Sequence, residues 1–326
     1  MYNSFGHKLR ITIFGASHAP EVGVIIEGVP QGMHLTPDMF MCDIDRRRPA
    51  LRGETPRHEE DIPHIEGLNS EQMTTGGRIV ITFQNSNTRS ADYSRFERQP
   101  RPSHADLVQR RKYGREYDIS GGGMASGRMT AAIVAAGVVA KQVLEGVSYD
   151  TRLVSVGSEH DPAKFESTIT AVASCGDSIG GIVECRVRSL PACLGEPFFD
   201  SAESVIAHLL FAIPAVKGVE FGDGFAGTKK LGSKRNDMII NAQGSTLTNN
   251  EGGINGGITN GNDLVVRVAI KPTASISLEQ HTFDLEQESI APLTIGGRHD
   301  ACIARRAQVV VEAAVAIALA DLKLRA

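Results

Sequence analysis

The sequence predicts an α+β fold in which a strand–loop–helix unit occurs twice. Short runs of β-branched residues recur behind glycines and turn residues, a pattern that is typical of strands. Two of these runs continue alike, through a proline-containing loop and into a helix start. Two alanine-rich stretches of helical length complete the pattern. Together these observations indicate a layered fold with an internal duplication.

Four runs are predicted to be strands, at residues 22–26, 77–83, 181–187 and 263–269. After the first run, Thr36 precedes Pro37, so threonine is expected to cap a helix whose first position is proline. After the third run, a helix is expected to start at Asp200, with Glu203 placed three residues on for a capping box. These parallel continuations are the basis for the predicted duplication.

Two further helices are predicted from their alanine and valine content. Residues 130–145 are apolar almost all round, so this helix is expected to be buried and central. Residues 309–324 form the second, which ends near Lys323 and Arg325, where cations favour the negative end of the helix. No Pro/Ser-rich linker divides the chain, so residues 1–326 are expected to form a single domain.

Composition narrows the classes of ligand. The formal net charge of -4 and the low aromatic content of 5% argue against a nucleic-acid or membrane surface. Arginine is nevertheless dense at Arg46, Arg47 and Arg48, which indicates small anionic ligands unless the run only compensates a helix dipole. Five cysteines lack metal-ligand spacing and no secretory signal is recognised, so we expect no metal and a reducing cytoplasm.

Three clusters, spread over the whole chain, carry histidine. They are residues 15–18 (Gly-Ala-Ser-His), 101–106 (Arg-Pro-Ser-His-Ala-Asp) and 298–300 (Arg-His-Asp). Buried polar groups of this kind are costly unless they are paired, so we expect the clusters to meet in one site. Histidine transfers protons near neutral pH and arginine holds phosphate or carboxylate. The chemistry indicated is proton handling on an anionic substrate.

Two glycine-rich segments accompany these clusters. Gly121, Gly122 and Gly123 precede the central helix and fit either a tight turn or an anion cradle. The spacing approaches that of a P-loop, but Arg128 stands where the P-loop lysine belongs, so nucleotide hydrolysis is disfavoured. Residues 249–261 form the second segment, which we interpret as a ligand-contacting loop rather than a linker.

Several long strings resemble the chorismate synthase family, with a likeness from residue 4 to residue 322. The clearest are DIDRRRP at 43–49, RPSHADLVQRRKYG at 101–114, NNEGGINGGITNGNDLVVRVAIKPTASI at 249–276 and GRHDACIARRA at 297–307. The resemblance implies a β-α-β sandwich protomer that assembles into a homotetramer. It also implies reduced FMN as cofactor, supplied by an external reductase. The implied reaction is an anti 1,4-elimination of phosphate from 5-enolpyruvylshikimate 3-phosphate, giving chorismate without net redox change.

The resemblance assigns roles to individual residues. His18 matches the family's proton donor near the departing phosphate, and His104 matches the histidine that protonates the reduced flavin. Asp300 matches the aspartate beside the flavin N5. The implied substrate-binding residues are Arg48, Arg101, Arg128 and Arg298. The implied flavin-contacting residues are Met124, Ala125, Ser126, Ala215, Gly256, Lys271, Pro272, Thr273, Ala274, Ser275 and Arg298.

The chain departs from the family pattern at Ala16, Met124 and Met129, which replace two glutamates and an arginine. These departures leave open a paralog that binds flavin or a phosphorylated metabolite without turnover. A third alternative is a flavin reductase that uses NADPH, since Arg48 and Arg52 align with arginines proposed to contact the nicotinamide. No dinucleotide-binding fingerprint supports this last alternative.

Overall fold

A computed structural model of the chain describes residues 3–51, 53–88, 90–297 and 299–326. Its strands are β1 (Ser4–Phe5), β2 (Arg10–Gly15), β3 (Glu21–Glu27), β4 (His64–Glu66), β5 (Ile79–Gln84), β6 (Ser148–Val156), β7 (Gly181–Arg188), β8 (Val216–Phe221), β9 (Ile254–Asn255), β10 (Ile258–Thr259), β11 (Leu264–Ile270), β12 (Gln280–Asp284) and β13 (Ser289–Leu293). Its helices are α1 (Pro37–Arg47), α2 (Asp106–Tyr113), α3 (Thr130–Val143), α4 (Phe165–Ser174), α5 (Ala202–Ala212), α6 (Gly224–Gly227), α7 (Gly232–Arg235) and α8 (Ala304–Arg325). Helices and sheets are therefore mixed, as the α+β prediction requires.

The two larger sheets repeat one topology. Within the described residues, the first sheet has the order β1-β2-β3-β5-β4 and the second has the order β6-β7-β11-β8, with neighbouring strands antiparallel. When β1 is set aside, each sheet starts with two adjacent strands, a helix follows the second strand, and the third strand lies at the edge beyond the fourth. The predicted duplication is thus confirmed, with α1 and α5 in equivalent places.

Long helices fill the space between the sheets. The helix α3 packs on β3 and β5 of the first sheet, and α8 packs on β6 and β7 of the second. The buried central helix predicted at 130–145 is confirmed, since every residue from 130 to 140 is buried. The other predicted helix begins at Ala304 rather than at 309. Its first turn carries Arg305 and Arg306, whose charges hide the apolar pattern at that end.

The helices α3 and α8 run side by side in the same direction. A Cβ atom placed on Gly127, just before α3, would lie 3.6 Å from Ile303 Cδ1, just before α8. Ten residues further along both helices, a Cβ on Gly137 would lie only 2.4 Å from the Ala313 Cβ. Only glycine allows so close an approach of the two backbones. Both helices therefore begin at the same end of the molecule.

The predicted strands at 22–26, 77–83, 181–187 and 263–269 are observed as β3, β5, β7 and β11. Thr36 has extended backbone angles and precedes Pro37 at the start of α1, as predicted. The expectation for the second unit is wrong by two residues, because α5 begins at Ala202 and its N-cap is Ser201, whose Oγ accepts from the Ser204 amide. Glu203 consequently falls outside the capping-box position. Within the described residues, no helix has both the length and the apolar character that a membrane span requires.

Candidate active site

A cavity of about 560 Å³ opens at the end of the molecule where α3 and α8 begin. Its described lining carries three carboxylates (Glu59, Asp61 and Asp300) against eight cationic side chains, which are Arg47, Arg48, Arg57, Arg101, Arg128, Arg306, Lys217 and Lys271. An excess of fixed positive charge in a recess favours anionic ligands. The N-terminal ends of the two helices add partial positive charge at the same place.

The first histidine cluster is tied to the glycine turn. The Ser17 amide donates to the Gly123 carbonyl at 3.2 Å, and the imidazole of His18 stands edge-on to Tyr93, with 5.1 Å between the ring centroids. A Cβ on Gly121 would lie 2.5 Å from Ser17 Oγ and 2.8 Å from the His18 ring. Gly121 itself has a positive φ of 61°. The turn therefore needs glycine both for its backbone and for the close approach of His18.

Arg57 holds the same loop from the other side. Its Nη1 donates to the buried Ser17 Oγ at 3.0 Å and its Nη2 donates to the Ser17 carbonyl at 3.1 Å. Glu59 accepts from Arg57 at 2.9 Å and also accepts from the Ser86 amide and hydroxyl. Burial alone would raise the pKa of Glu59, but these hydrogen bonds outweigh it and lower that pKa. Sequence reasoning missed Arg57, which lies in no glycine or histidine cluster.

The second histidine cluster is organised by a carboxylate. His104 Nδ1 lies 2.7 Å from Asp106 Oδ1, and Arg101 donates to Asp106 from Nε at 2.8 Å and from Nη2 at 2.7 Å. Burial alone would raise the pKa of Asp106, but the hydrogen bonds from Arg101 and His104 hold it well below its usual range. The Arg101 guanidinium also lies 4.4 Å from the Phe96 ring centroid and 5.6 Å from that of Tyr93. Tyr93 thus stands between His18 and Arg101.

The third cluster, at residues 298–300, contributes Asp300 and His299 to the cavity lining. Asp300 accepts from the Thr55 amide at 3.1 Å and from Arg306 Nη1 at 2.9 Å. His299 lines the cavity beside it, and burial together with the nearby Arg101 charge lowers the pKa of His299. Arg298 lies outside the described residues. The expectation that distant clusters meet is therefore supported in part: His104, His299 and Asp300 line one cavity, while His18 lies outside that lining, against the lining residues Tyr93 and Gly121.

The predicted substrate-binding arginines differ in how many of their donors remain available. Arg128 pairs with Asp61 and donates to Asn85 Oδ1 at 2.8 Å and to the Gln84 carbonyl at 3.1 Å. Arg101 is similarly engaged by Asp106 and by Ser275 Oγ at 3.0 Å. By contrast, Arg48 pairs with Asp45, and its buried Nε has no hydrogen-bond partner among the described residues. Of these three, Arg48 has the donor best placed to meet a ligand.

Arg47 and Asp61 form a buried pair that sequence reasoning missed. Asp61 Oδ2 accepts from Arg47 Nη1 at 3.1 Å, while its Oδ1 pairs with Arg128. Asp61 adopts the left-handed region with a φ of 50°, so its backbone is held in place by these contacts. Burial lowers the pKa of Arg47 to about 9, against the opposing effect of the Asp61 charge. In the sequence, Arg47 lies within a run of three arginines and Asp61 within an acidic stretch, so nothing local indicates that the two side chains pair.

A second wall of the cavity is mostly apolar and includes Ile213, Pro214 and Val216. Ala215 beside them has a positive φ of 74°, and its carbonyl accepts from the Lys271 amide at 3.0 Å. The predicted flavin-contacting residues that line the cavity are Met124, Ala125, Ser126, Ala215, Lys271, Pro272, Thr273, Ala274 and Ser275. Gly256 is exposed in the turn between β9 and β10 and lies outside the cavity lining, so its role stays a prediction.

Comparisons with known proteins agree on one family. The model of the chorismate synthase family matches residues 9–324. A chorismate synthase from Chitinophaga pinensis is 50% identical over 323 residues, covering 99% of this chain and 96% of that protein. A chorismate synthase from Archaeoglobus fulgidus is 41% identical over 350 residues, covering 99% of this chain and 97% of that protein. A crystal structure of chorismate synthase, 26% identical, superimposes with a TM-score of 0.76 over 98% of this chain and 93% of the other.

Proposed function

This chain belongs to the chorismate synthase family, and we propose that it is an active lyase of that family. The substrate proposed is 5-enolpyruvylshikimate 3-phosphate, which loses phosphate and a ring proton by anti 1,4-elimination to give chorismate. The observation that carries the proposal is the cavity, whose lining joins eight cationic side chains to His104, with His18 next to it against the lining residue Tyr93. A substrate with a phosphate and two carboxylates matches that excess of positive charge.

The lining also fits reduced FMN, the cofactor that we propose. The apolar wall at Ile213, Pro214 and Val216 suits a flat ring system, and Lys271 with the glycine turn suits a phosphate. Bound reduced flavin would supply electron density and a basic nitrogen for removal of the ring proton. Ser126, Ala215 and the residues from 271 to 275 would hold it, while Gly256 would need another arrangement to reach it.

We assign the proton steps to three residues of this chain. His18 would protonate or hydrogen-bond the departing phosphate, since it sits on the glycine turn beside the Arg57 network. His104 would hold a proton near the flavin, and Asp300 would stabilise positive charge that develops beside it. Two acid–base groups in separate settings suit an elimination, because the proton and the leaving group depart from opposite faces.

Assembly and reduction are part of the same proposal. We infer single-domain protomers, which the large core cluster from residue 9 to residue 322 supports, and we propose that they assemble into a homotetramer, as the family resemblance implies. An external reductase would supply reduced FMN. Arg48 has an unpaired Nε that could contact a nicotinamide, but Arg52, the other arginine of that alternative, lies outside the described residues.

An anaerobic assay tests the proposal directly. The protein is mixed with dithionite-reduced FMN and 5-enolpyruvylshikimate 3-phosphate, and chorismate and phosphate are measured together. We expect stoichiometric release of both and no net oxidation of the flavin. The competing function, a binding paralog, is favoured by Met124 and Met129, which stand where the family resemblance implies an arginine and a glutamate. Tight binding of the phosphorylated substrate without release of phosphate would establish that alternative.

A further inference from the structure

Asp106 is fully buried and accepts four hydrogen bonds with its two carboxylate oxygens. Arg101 supplies three of them, from its amide at 3.1 Å, its Nε at 2.8 Å and its Nη2 at 2.7 Å. The fourth contact joins Asp106 Oδ1 to His104 Nδ1 at 2.7 Å. Bonds from an adjacent guanidinium keep a buried carboxylate ionised. The side chain therefore only accepts hydrogen bonds.

This contact dictates where the imidazole of His104 carries its proton. A neutral imidazole has one N–H and one lone pair, and a carboxylate that only accepts can bond only to the N–H. Nδ1 must then be the protonated nitrogen, which leaves Nε2 for the cavity side. His104 lines the cavity, and Gly122 lies beside its Nε2–Cε1 edge, where a Cβ would lie 3.7 Å from Nε2 and 3.6 Å from Cε1, so glycine leaves space there.

The remaining charged groups around the ring do not compete for Nδ1. Lys271 Nζ donates to the Ser103 carbonyl at 2.7 Å, and Arg101 is engaged by Asp106 and Ser275. His299, whose electrostatic environment includes His104 and Arg101, places an Nε2 3.2 Å from the Gly296 carbonyl. Asp106 is thus the carboxylate that bonds to His104 in the described part of the chain.

We propose that Asp106 is a positioning residue that fixes His104 with its proton on Nδ1, so that Nε2 is the atom that exchanges protons with the bound ligands. The proposal rests on the proposed function for its kinetic consequence, but the tautomer itself does not. The arrangement also explains why Arg101 is so completely engaged. Its guanidinium orients the carboxylate, which in turn orients the imidazole.

Asp284 offers a matched control for the kinetic test. It is also fully buried and accepts from Gln99 Nε2 at 2.7 Å and from Arg98 at 3.0 Å, but it lies in the β12–β13 hairpin outside the cavity lining. In Asp106→Asn, the new amide can donate to His104 Nδ1 and so favour the opposite tautomer. We expect kcat to fall by about 10²-fold or more, within the usual contribution of a general acid–base group, with KM for the phosphorylated substrate within about threefold of the parent. Asp284→Asn should keep the parent kcat.

The tautomer is read in the unmodified protein by nitrogen-15 NMR of labelled histidine at about pH 8.5, where imidazoles are ordinarily neutral. Cross-peaks that vanish in His104→Gln identify the ring. We expect a protonated Nδ1 in the parent and its loss in Asp106→Asn. An Nε2–H tautomer in the parent would overturn the proposal, whether or not the variant folds. Equal kcat values for Asp106→Asn and Asp284→Asn would overturn it too. Absence of turnover in the parent would instead count against the proposed function and leave the NMR result decisive for the tautomer.

Discussion

Two walls of the cavity differ in character: one carries Arg47, Arg57 and Arg128 from the first half of the chain, and the other carries the apolar residues Ile213, Pro214 and Val216 from the second half. The charged wall is held by internal hydrogen bonds before any ligand binds. Arg57 is held by Glu59, and Arg47 and Arg128 share the carboxylate of Asp61. The apolar wall has no such partners and is shaped by packing.

The difference teaches where the site is sensitive to substitution. Arginines that are already held in place need not move when charge develops on a ligand. The carboxylates that hold them therefore contribute to ligand stabilisation indirectly. Removal of one member of a buried pair leaves the other charge uncompensated, which is strongly destabilising. Packing surfaces tolerate conservative change because volume and apolar character are enough. We therefore expect large effects on the charged side and small effects on the apolar side.

The largest effect should come from the two histidines that flank the charged wall. We expect His18→Ala and His104→Ala each to lower kcat by about 10²–10⁴-fold, because each removes one proton-transfer group. Anaerobic turnover with saturating reduced FMN measures this, and circular dichroism verifies the fold. His160→Ala changes an exposed histidine of the other half and should retain full turnover. Wild-type rates for both His18→Ala and His104→Ala would contradict the assigned roles.

Asp61→Ala tests the charged wall through stability. Two buried arginines lose their shared carboxylate, so we expect the free energy of unfolding to fall by about 3–5 kcal/mol. Denaturant titration measures the change. Asp45→Ala removes an exposed aspartate that pairs with Arg48, and it should cost no more than about 1 kcal/mol. Equal losses in the two variants would show that burial of the Asp61 pair has no special weight.

Asp300→Asn separates catalysis from cofactor binding. The substitution keeps the shape but removes the charge that faces Arg306, so we expect kcat to fall by about 10²-fold. The dissociation constant for FMN, measured by flavin fluorescence, should stay near the parent value, because Asp300 bonds to Arg306 and is not among the residues proposed to hold FMN. A large loss of FMN affinity with unchanged kcat would reverse that assignment.

Met124→Arg would add a positive charge to the part of the cavity lining that is proposed to contact FMN. Met124 lines the cavity at a position where the family resemblance implies an arginine, so we expect the parent to bind FMN weakly alone and tightly with substrate. The added charge should strengthen FMN binding without substrate by about tenfold, as expected for one hydrogen bond from a charged group. Fluorescence titration with and without substrate gives both values. Met238→Arg, at an exposed methionine, should change neither. Equal affinities in the parent with and without substrate would count against this view.

The smallest effect is expected on the apolar wall. Ile213→Val removes one methylene from a buried lining residue and should cost about 0.5–1.5 kcal/mol of stability. Turnover should change by no more than about twofold, since no charged partner is lost. Thermal unfolding and the anaerobic assay measure the two quantities. A loss of activity comparable to that of the histidine variants would contradict the expectation that the apolar wall tolerates substitution better than the charged wall.

Features encoded by neighbouring residues could be predicted from the sequence, and features made by distant pairs could not. Thr36 and Pro37 define the start of α1 by local chemistry alone. At the start of α5, both Asp200 and Ser201 can cap a helix; Ser201 is the N-cap, and Asp200 instead accepts from Arg325 at 2.8 Å, at the C-terminal end of α8.

The same limit applies to the candidate site. His18, His104 and Asp300 stand in short clusters whose chemistry is visible in the sequence; His104 and Asp300 line the cavity, and His18 lies beside it against Tyr93. Arg306 is different, because its Nε donates to the Arg47 carbonyl at 2.9 Å across 259 positions of the chain. The role of Asp61 likewise depends on its ion pair with Arg128, which is distant in the sequence. No local sequence pattern predicts a contact between residues so far apart in the chain.

The side-by-side course of α3 and α8 has a consequence for the history of the fold. Two units of equivalent topology whose last helices run side by side in the same direction fit an approximate two-fold axis along those helices, and the cavity lies where both helices begin. A half-length chain paired with itself would have to present two identical walls at that axis. Joining the units in one polypeptide removes this constraint. The two halves could then supply different residues to the cavity, so the asymmetry that a substrate meets depends on the covalent link between them.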